Sequence, residues 1–593
     1  MKFPYGVADF RKIIARGYFY CDRTKYIPIL EDTGDYLLFL RPRRFGKSLL
    51  LSVLENYYDI AGKDEFDRLF GHLEIAEHPT SLRSSFFILR WDFSCVDPSG
   101  SAEDIKKSLH GHINSCVRSF SVYYEKILPR KILINPDDAI MSVRSLIDAV
   151  LMTPYRIYLL IDEYDNFANE VMMGFQRDKG VYEAVVYSDG PLKTLFKAVK
   201  ALSGESGFSR IFITGVSPVV MSDITSGFNI AKNIYLYHNF NDLCGFTETE
   251  ISDILKKIAE ECGFDEQDVV RANDMMRTYY NGYIFAPDSQ VAVYNPTLAI
   301  YFIEMFNKDC KYPRQMLDAN LATDDAKLQY VSEIPGGRQL LLDIVNHGHQ
   351  MVIPDLADRF GVSQMTDRQS KDNTFIASFL YFFGVLTIEK QTELNELILR
   401  VPNLVMYKLY IERIQRMLLP EPADRDDGML AAKCLFGQGN MQPLCEFVEQ
   451  RFFKVFHNRD YRWANELTVK TAFMTLLYND ILYIMDSEKT AGRGYADLVM
   501  MLRPDMRQYK AYDILIEFKF VTLKQAGLTA EQALALSDEQ LRKITQEAMD
   551  SAKKQVGTYG NILAQKYKNL RLRRYAVVSL GFERICWEEQ EEV

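Results

Sequence analysis

The sequence predicts an α/β fold built on a parallel sheet for the first part of this chain, and a second, smaller α/β domain at its end. Three observations predict it. Apolar runs at 36–40, 86–93, 158–161 and 210–213 read as short buried strands. Stretches with helical patterning, such as 102–128 and 189–202, lie between them, and strands alternating with helices argue for a parallel core. Towards the C-terminus, strand-like segments within 492–500 and 512–520 carry two carboxylates and a lysine.

The first chemical signal is Phe39-Leu40-Arg41-Pro42-Arg43-Arg44-Phe45-Gly46-Lys47-Ser48-Leu49-Leu50. It follows the apolar run from Tyr36 and opens a helical pattern at Ser48. Strand, loop, Gly-Lys-Ser and helix is the context a phosphate-binding loop needs. N–H groups at a helix start point at an anion, and the helix dipole favours negative charge there. In that role Lys47 reaches the β/γ-phosphates and the Ser48 hydroxyl ligates Mg²⁺. The pattern expects glycine at position 41, where this chain has Arg41 and then Pro42. Taken alone, the stretch also reads as a basic turn before an ordinary helix.

Tyr158-Leu159-Leu160-Ile161-Asp162-Glu163 is an apolar strand ending in two carboxylates. Paired with the upstream Gly-Lys-Ser, Asp162 serves the Mg²⁺ shell and Glu163 orients the attacking water. Without that pairing it would read as a buried strand with a solvated acidic turn.

Composition sets the outer bounds. The 593 residues leave room for several domains, and 48% hydrophobic with 25% charged content is ordinary for soluble globular protein. Seventy basic against 80 acidic residues give a net charge of −10, so nucleic-acid binding would need a local patch. The nine cysteines are scattered without a C-x-x-C pair or a Cys/His cluster, which predicts reduced thiols and no zinc site. Residues 1–9 lack an apolar signal core, and the run 375–388 is too short to span a bilayer. A cytoplasmic protein without membrane contact is expected.

Tyr5-Gly6-Val7, Asp9-Phe10, Tyr20-x-Asp22-x-Thr24-Lys25 and Arg41-Pro42-Arg43-Arg44-Phe45-Gly46-Lys47-Ser48 together resemble the AAA-ATPase-like family of bacterial proteins that carry a C-terminal PD-(D/E)XK nuclease-like domain. In that family the loop reads Arg-Pro-Arg-Arg-Phe-Gly-Lys-Ser/Thr, so the missing glycine is a family feature. The resemblance implies a P-loop ATPase domain with a parallel sheet, a helical, winged-helix-like middle region, and a PD-(D/E)XK nuclease-like α/β domain. It implies ATP at Arg43, Arg44, Phe45, Gly46, Lys47, Ser48 and Leu49, with Mg²⁺ at Ser48 and Asp162; Arg43 and Arg44 either add charge at the nucleotide or are simply solvated. It also implies a γ-phosphate sensor on the strand 210–218, where Thr214 or Ser217 fits; each singly reads as well as a strand end with a turn. Tyr279-Tyr280-Asn281-Gly282-Tyr283 and Tyr294-Asn295-Pro296 resemble two further family signatures. Asn-Gly suits a tight turn and Asn-Pro a helix start, so a structural role is expected for both.

Between the two chemical regions, Thr247 with Glu250 predicts a capped helix start. Residues 297–440 read mainly helical, with 385–388 and 397–403 as strands of a small wing-like hairpin. The polar stretch 420–428 reads as a break near the change to the last domain.

The second chemical signal is Gly492-Arg493-Gly494-Tyr495-Ala496-Asp497-Leu498-Val499-Met500 followed by Tyr512-Asp513-Ile514-Leu515-Ile516-Glu517-Phe518-Lys519-Phe520. Strand side chains alternate, so Glu517 and Lys519 share a face, and a hairpin through 503–510 would bring Asp497 beside them. Asp497 and Glu517 would hold Mg²⁺, with Glu466 from a helix over 465–478 as a further carboxylate. Lys519 would orient or deprotonate the attacking water. Taken alone, Glu517 and Lys519 also read as an edge-strand ion pair. Gln555 and Tyr559 lie four residues apart on one helix face. Their spacing resembles an element of RecB-like nucleases that supports the catalytic lysine. Lys553, Lys554, Lys566, Lys568, Arg571, Arg573 and Arg574 form a local basic tract, which reads either as a nucleic-acid patch or as a solvated face.

The expected organisation is an ATPase domain over 1–245, a helical lid and winged-helix-like linker over 246–440, and a nuclease-like domain over 441–593. The expected function is an ATP-binding and ATP-hydrolysing protein coupled to Mg²⁺-dependent cleavage of nucleic acid, DNA before RNA, with homo-oligomerisation allowed. The competing expectations are a nucleotide-switched scaffold or signalling ATPase whose C-terminal domain binds nucleic acid without cutting it, and a degenerate nucleotide switch for assembly.

Overall fold

The computed structural model describes residues 1–166, 190–218, 221, 228–317, 325–346, 350–357, 372–456, 466–486, 489–491, 494–567 and 570–590. The chain forms two compact units. One holds Met1–Cys310, Ala322–Pro335 and Met351–Asn403; the other holds Lys311–Leu321, Gly336–Gln350 and Leu404–Val593.

The first unit is organised on a five-stranded sheet. Its strands are β1 (Tyr36–Leu40), β2 (Phe86–Asp92), β3 (Arg156–Asp162), β4 (Phe208–Gly215) and the short β5 (Lys232–Asn233), in the order β2-β3-β4-β1-β5. All its pairings are parallel. The apolar runs form strands because both sheet faces are covered, and Leu37–Leu40 and Ile157–Ile161 are buried throughout. Helix α1 (Lys47–Tyr58) follows β1, and α2 (Ala102–Tyr123), α3 (Ala139–Leu151) and α4 (Pro191–Ala201) follow in the chain.

Helix α5 (Glu248–Cys262) starts as its sequence predicts, with Thr247 and Glu250 completing a capping box. After α6 (Glu266–Tyr280), helix α7 (Pro296–Asp309) starts at N-cap Asn295 with Pro296 in the first turn. A small sheet in the order β6 (Gln350–Ile353), β8 (Leu397–Arg400), β7 (Thr387–Gln391) contains the expected wing-like hairpin.

Two expectations are corrected. The cysteines are not all reduced: Cys262 at the end of α5 and Cys310 at the end of α7 form a disulfide, their Cα atoms 5.7 Å apart. The break expected at 420–428 is instead the start of a helix, Pro422–Gln438. Pro422 occupies its first turn, where the fixed φ of proline suits a helix. Gly428 is buried against Leu476 and Phe447 and not in a solvated turn.

The second unit carries another five-stranded sheet, in the order β15-β14-β13-β12-β9. Its strands are β9 (Tyr483–Asp486), β12 (Leu498–Leu502), β13 (Asp513–Val521), β14 (Leu572–Leu580) and β15 (Arg584–Glu589), with β10 (Lys489–Ala491) and β11 (Gly494–Ala496) pairing separately. β12 and β13 are antiparallel, and β13 and β14 parallel. Helix α8 (Glu466–Leu477) packs on β13, where Phe473 meets Phe518 at 5.1 Å between centroids. Helix α9 (Asp538–Lys566) crosses β13 and β14. Its buried positions, Leu541, Thr545, Met549, Ala552, Val556, Gly560 and Leu563, recur every three or four residues and face the sheet. Within the expected strand and helix starts, Gly492, Arg493 and Asn465 lie outside the described residues, as does Lys568 of the basic tract.

In the first unit, Arg23 ties its turn to α5. It donates to both Glu250 oxygens at 2.6 and 2.8 Å and to the Gly245 carbonyl at 2.6 Å. Burial pushes the Glu250 carboxyl up, but the Arg23 bonds outweigh it and hold the group at about 2 against an ordinary 4.5. A depressed folded-state value contributes stability above pH 4.5 that is lost as pH falls towards 2. Denaturant titrations should therefore lose about 2 kcal/mol more between pH 6 and pH 3 in the wild type than in Glu250→Gln. Parallel acid limbs in the two proteins would contradict the assignment.

Candidate functional site

Strand register brings the first set of residues together. β1 pairs with β4 (Leu40 opposite Gly215), and β4 pairs with β3 (Ile213 opposite Ile161). The C-terminal ends of the three strands therefore lie side by side and deliver the loop 41–48, Thr214 and Asp162-Glu163 to one edge. The Thr214 hydroxyl donates to Asp162 Oδ1 at 2.6 Å, and the Glu163 N–H donates to the same oxygen at 3.1 Å. Arg90 of β2 lies 3.4 Å from Asp162 Oδ2 and 3.1 Å from Glu55 of α1. Glu163 itself has φ 48°, in the left-handed region that a non-glycine residue rarely occupies. Burial pushes its carboxyl up, against the pull of Lys47 and Arg43. Ser217, the alternative to Thr214, is committed elsewhere: its N–H and hydroxyl both donate to buried Asp165, at 2.7 and 3.0 Å.

The loop explains its own missing glycine. Arg41 is 1% exposed, and its guanidinium lies over the rings of Phe39 and Phe285 at 4.4 and 4.1 Å. It donates to the carbonyls of Leu40, Tyr235 and Phe240 at 2.6–2.9 Å. The side chain therefore anchors the loop to the core, and burial brings its pKa down to about 10. The sharp turn is made further on, by Arg44 (φ 69°) and Gly46 (φ 91°). A Cβ on Gly46 would meet nothing within 4 Å, so glycine is needed there for its backbone and the space above it is open.

Lys47 is buried, and its Nζ donates to the carbonyls of Arg41 and Pro42 at 2.9 and 3.0 Å. Burial pushes its pKa down, and the charges of Glu163, Asp162 and Asp165 offset part of that. Arg43 donates to Asn166 at 2.7 Å. Phe45 is an anchor, edge-on to Tyr283 and Phe285 at 4.9 and 5.1 Å.

The two unexplained signatures brace this loop. Tyr283 packs on Phe45, and Gly282 (φ 106°) sits so close to Pro402 that a Cβ would come 2.1 Å from its carbonyl oxygen. Asn295 caps α7, and the neighbouring Thr297 donates to the Arg44 carbonyl at 3.2 Å. A cavity of 290 Å³ opens beside the loop. Arg44–Leu50 and Glu163 line it together with Pro4–Ala8, Phe19–Cys21 and Leu243–Phe246. Tyr5-Gly6-Val7 and Tyr20 belong to the motifs that carry the family resemblance, but nothing in those motifs marks them, or Leu243–Phe246, as walls of a cavity.

The second set meets in the other unit. Antiparallel pairing of β12 with β13, Leu498 opposite Ile516, puts Asp497 next to Glu517. The Asp497 N–H lies 3.4 Å from Glu517 Oε2, and the Phe518 N–H donates to Asp497 Oδ2 at 2.9 Å. Lys519 Nζ is 3.3 Å from Glu517 Oε1 and donates to the Phe518 carbonyl at 2.8 Å. Lys470 of α8 brings a second ammonium, 3.8 Å from Asp497 Oδ1. Burial, and then the charge of Asp497, push the Glu517 carboxyl up to about 7. On α9, burial and the Glu517 and Asp497 charges raise the Tyr559 hydroxyl, while Gln555 Oε1 is buried without a hydrogen-bond partner.

Glu466 reaches this pair through Lys519 Nζ, at 3.8 Å, and not as a third member of a carboxylate cage. Among the described residues no group of three or more His, Cys, Asp or Glu gathers to hold a metal. The Asp497–Glu517 pair still fits Mg²⁺, which is held by one or two carboxylates plus substrate phosphate and keeps several waters. Much of the basic tract is engaged internally: Lys553 pairs with Glu588 and Arg573 with Glu589, both at 2.7 Å, and Arg574 donates to Asn561 at 3.1 Å.

Comparison with known proteins agrees with both halves. Residues 4–225 match the family model described as "Predicted AAA-ATPase", and residues 464–589 match that of the PD-(D/E)XK nuclease superfamily. An uncharacterized protein in the vnfD 5' region of Azotobacter chroococcum mcd 1 is 24% identical over 552 residues, 90% of this chain and 92% of the relative. Among solved structures, the Aeropyrum pernix ORC2 protein (ADPNP-ADP complexes) is 13% identical over 68% of this chain and 93% of its own, with a TM-score of 0.31. The Aeropyrum pernix ORC1 protein in complex with DNA is 11% identical over 70% and 94%, with a TM-score of 0.25. Among the described residues no helix is long and apolar enough to cross a membrane. Residues 4–225 are thus similar to an AAA-ATPase-like domain and residues 464–589 to a domain of the PD-(D/E)XK nuclease superfamily.

Proposed function

We propose that the chain binds and hydrolyses ATP at the loop 41–48 and cuts nucleic-acid phosphodiesters at Asp497, Glu517 and Lys519. The observation that carries the reading is the second cluster: strand register sets Asp497 opposite Glu517, the Asp497 N–H lies 3.4 Å from Glu517 Oε2, and the Lys519 ammonium lies 3.3 Å from Glu517 Oε1. Asp497 and Glu517 would hold Mg²⁺, which supplies charge neutralisation at the phosphate and a more acidic water. Lys519, beside Glu517, would orient the attacking water or help to deprotonate it. Tyr559 feels the charges of Glu517 and Asp497, and Gln555, one helical turn before it on α9, is the residue we assign to support Lys519; its Oε1 is buried without a hydrogen-bond partner. The work place we assign is the cytoplasm, which supplies both ATP and nucleic acid.

At the nucleotide site Gly46, Lys47 and Ser48 would bind the phosphates, and Ser48 and Asp162 would hold Mg²⁺. Thr214 and the Glu163 N–H fix the Asp162 carboxylate, and Glu163 polarises the attacking water. The open space over Gly46 supports this reading.

Labelled duplex DNA, single-stranded DNA and RNA, incubated with the full chain and Mg²⁺ with and without ATP, test the cleavage. DNA should be cut in Mg²⁺ and not in EDTA, and Lys519→Ala should slow cutting by at least about 10²-fold. Retention of DNA without cutting would replace the nuclease with a binding module. Lys47→Ala should lose ATP binding, whereas Glu163→Gln should bind ATP and turn it over at least about 10²-fold more slowly. Equal ATP turnover in the wild type and Glu163→Gln would remove Glu163 from the chemistry.

A further inference from the structure

Lys470 takes no part in the functional reading above, yet among the described residues it is one of the few buried lysines. Its side chain is 4% exposed and projects from α8, one helical turn after Glu466. A buried ammonium needs a compensating charge close by. It has one in Asp497, whose Oδ1 is 3.8 Å from Lys470 Nζ while Oδ2 accepts the Phe518 N–H at 2.9 Å. The two oxygens of Asp497 are thus engaged from opposite elements, helix and strand. A cation taking Asp497 through Oδ1 has to share that oxygen with Lys470.

The charges around the site define what Lys470 does. With all three carboxylates ionised, the state a bound cation favours, Glu466, Asp497 and Glu517 face two ammonium groups, Lys470 and Lys519, which leaves one net negative charge. A divalent cation turns that into one net positive charge, and an arriving phosphodiester brings it to zero. Without Lys470 the same loading ends one charge negative, with an anion held beside uncompensated carboxylates.

We propose that Lys470 is a positioning residue that engages Asp497 Oδ1 in competition with the cation and sets the site's charge for a phosphodiester. It weakens capture of a divalent cation by itself and strengthens capture of the anionic backbone once the cation is there. This rests on the nuclease reading of the site. A merely structural lysine would act differently, since its loss would loosen the pocket and weaken both partners together.

The test uses the nucleotide-free full chain and Mn²⁺, whose binding is followed by electron paramagnetic resonance, with Asp497→Ala defining the site. Lys470→Met should bind Mn²⁺ about tenfold tighter than the wild type, because a positive charge has left the neighbourhood of the cation. In Ca²⁺ it should bind a fluorescein-labelled DNA oligonucleotide about tenfold more weakly. Lys470→Arg should restore both affinities towards wild type. Unchanged or weaker Mn²⁺ binding in Lys470→Met, with Asp497-dependent binding intact in the wild type, overturns the proposal and leaves the nuclease reading standing. Absence of Asp497-dependent Mn²⁺ binding in the wild type overturns the nuclease reading itself. Should Lys470→Met fail to fold, the double substitution Lys470→Met with Asp497→Asn is expected to fold, since the charge and its partner leave together. Failure of the double variant as well overturns the pairing.

Discussion

Charge removed from water must be met by a partner in the protein, and both units of this chain are arranged around that constraint. Asp162 is buried at the end of β3 and is met from three directions: Thr214 on β4, the Glu163 N–H, and Arg90 on β2. Asp497 and Glu517 are brought together at one end of the β12–β13 pair and are met by Lys470 and Lys519. The partners come from adjacent strands (Thr214, Arg90), from near neighbours in the chain (Glu163, Lys519) and from a helix packed on the sheet (Lys470). The backbone pairing of the sheets therefore decides which charges can be buried at all, and the chemistry depends on that pairing.

The same constraint separates anchoring from binding in the loop 41–48. Arg41 and Phe45 face the core, where Arg41 satisfies three carbonyls and two aromatic faces. Gly46, Lys47 and Ser48 line the cavity. A rigid turn is thereby held from behind by Tyr283, Phe285 and Thr297 while its front stays open. Gly282 and Asn295 matter because they place those bracing residues.

Much of this was legible from the sequence because it follows short-range rules. The strand at 36–40, the capping box at Thr247 and Glu250, and the Asn295-Pro296 helix start are local, and each forms where its pattern indicates. The β12–β13 hairpin follows from two apolar runs and a short connection, and it alone brings Asp497 to Glu517. Long-range features were not legible. The carbonyls that receive Arg41 come from 235 and 240, almost two hundred residues away in the chain. Lys470 looks like one lysine on an apolar helix until α8 is packed on β13. Cys262 and Cys310 pair because two helix ends meet, which no spacing rule announces. The polar run at 420–428 carries break-forming residues, yet Pro422 at a helix start and a buried Gly428 serve the helix instead.

The central proposal is that one chain carries two phosphate-handling centres, each with its own place for a divalent cation. Mn²⁺ stoichiometry by equilibrium dialysis tests it most directly. The account predicts one bound Mn²⁺ per chain without nucleotide, lost in Asp497→Ala. It predicts a second when a non-hydrolysable ATP analogue is added, lost in Lys47→Ala while the first remains. A chain that binds no Mn²⁺ without nucleotide, or whose nucleotide-free Mn²⁺ survives Asp497→Ala, would contradict it.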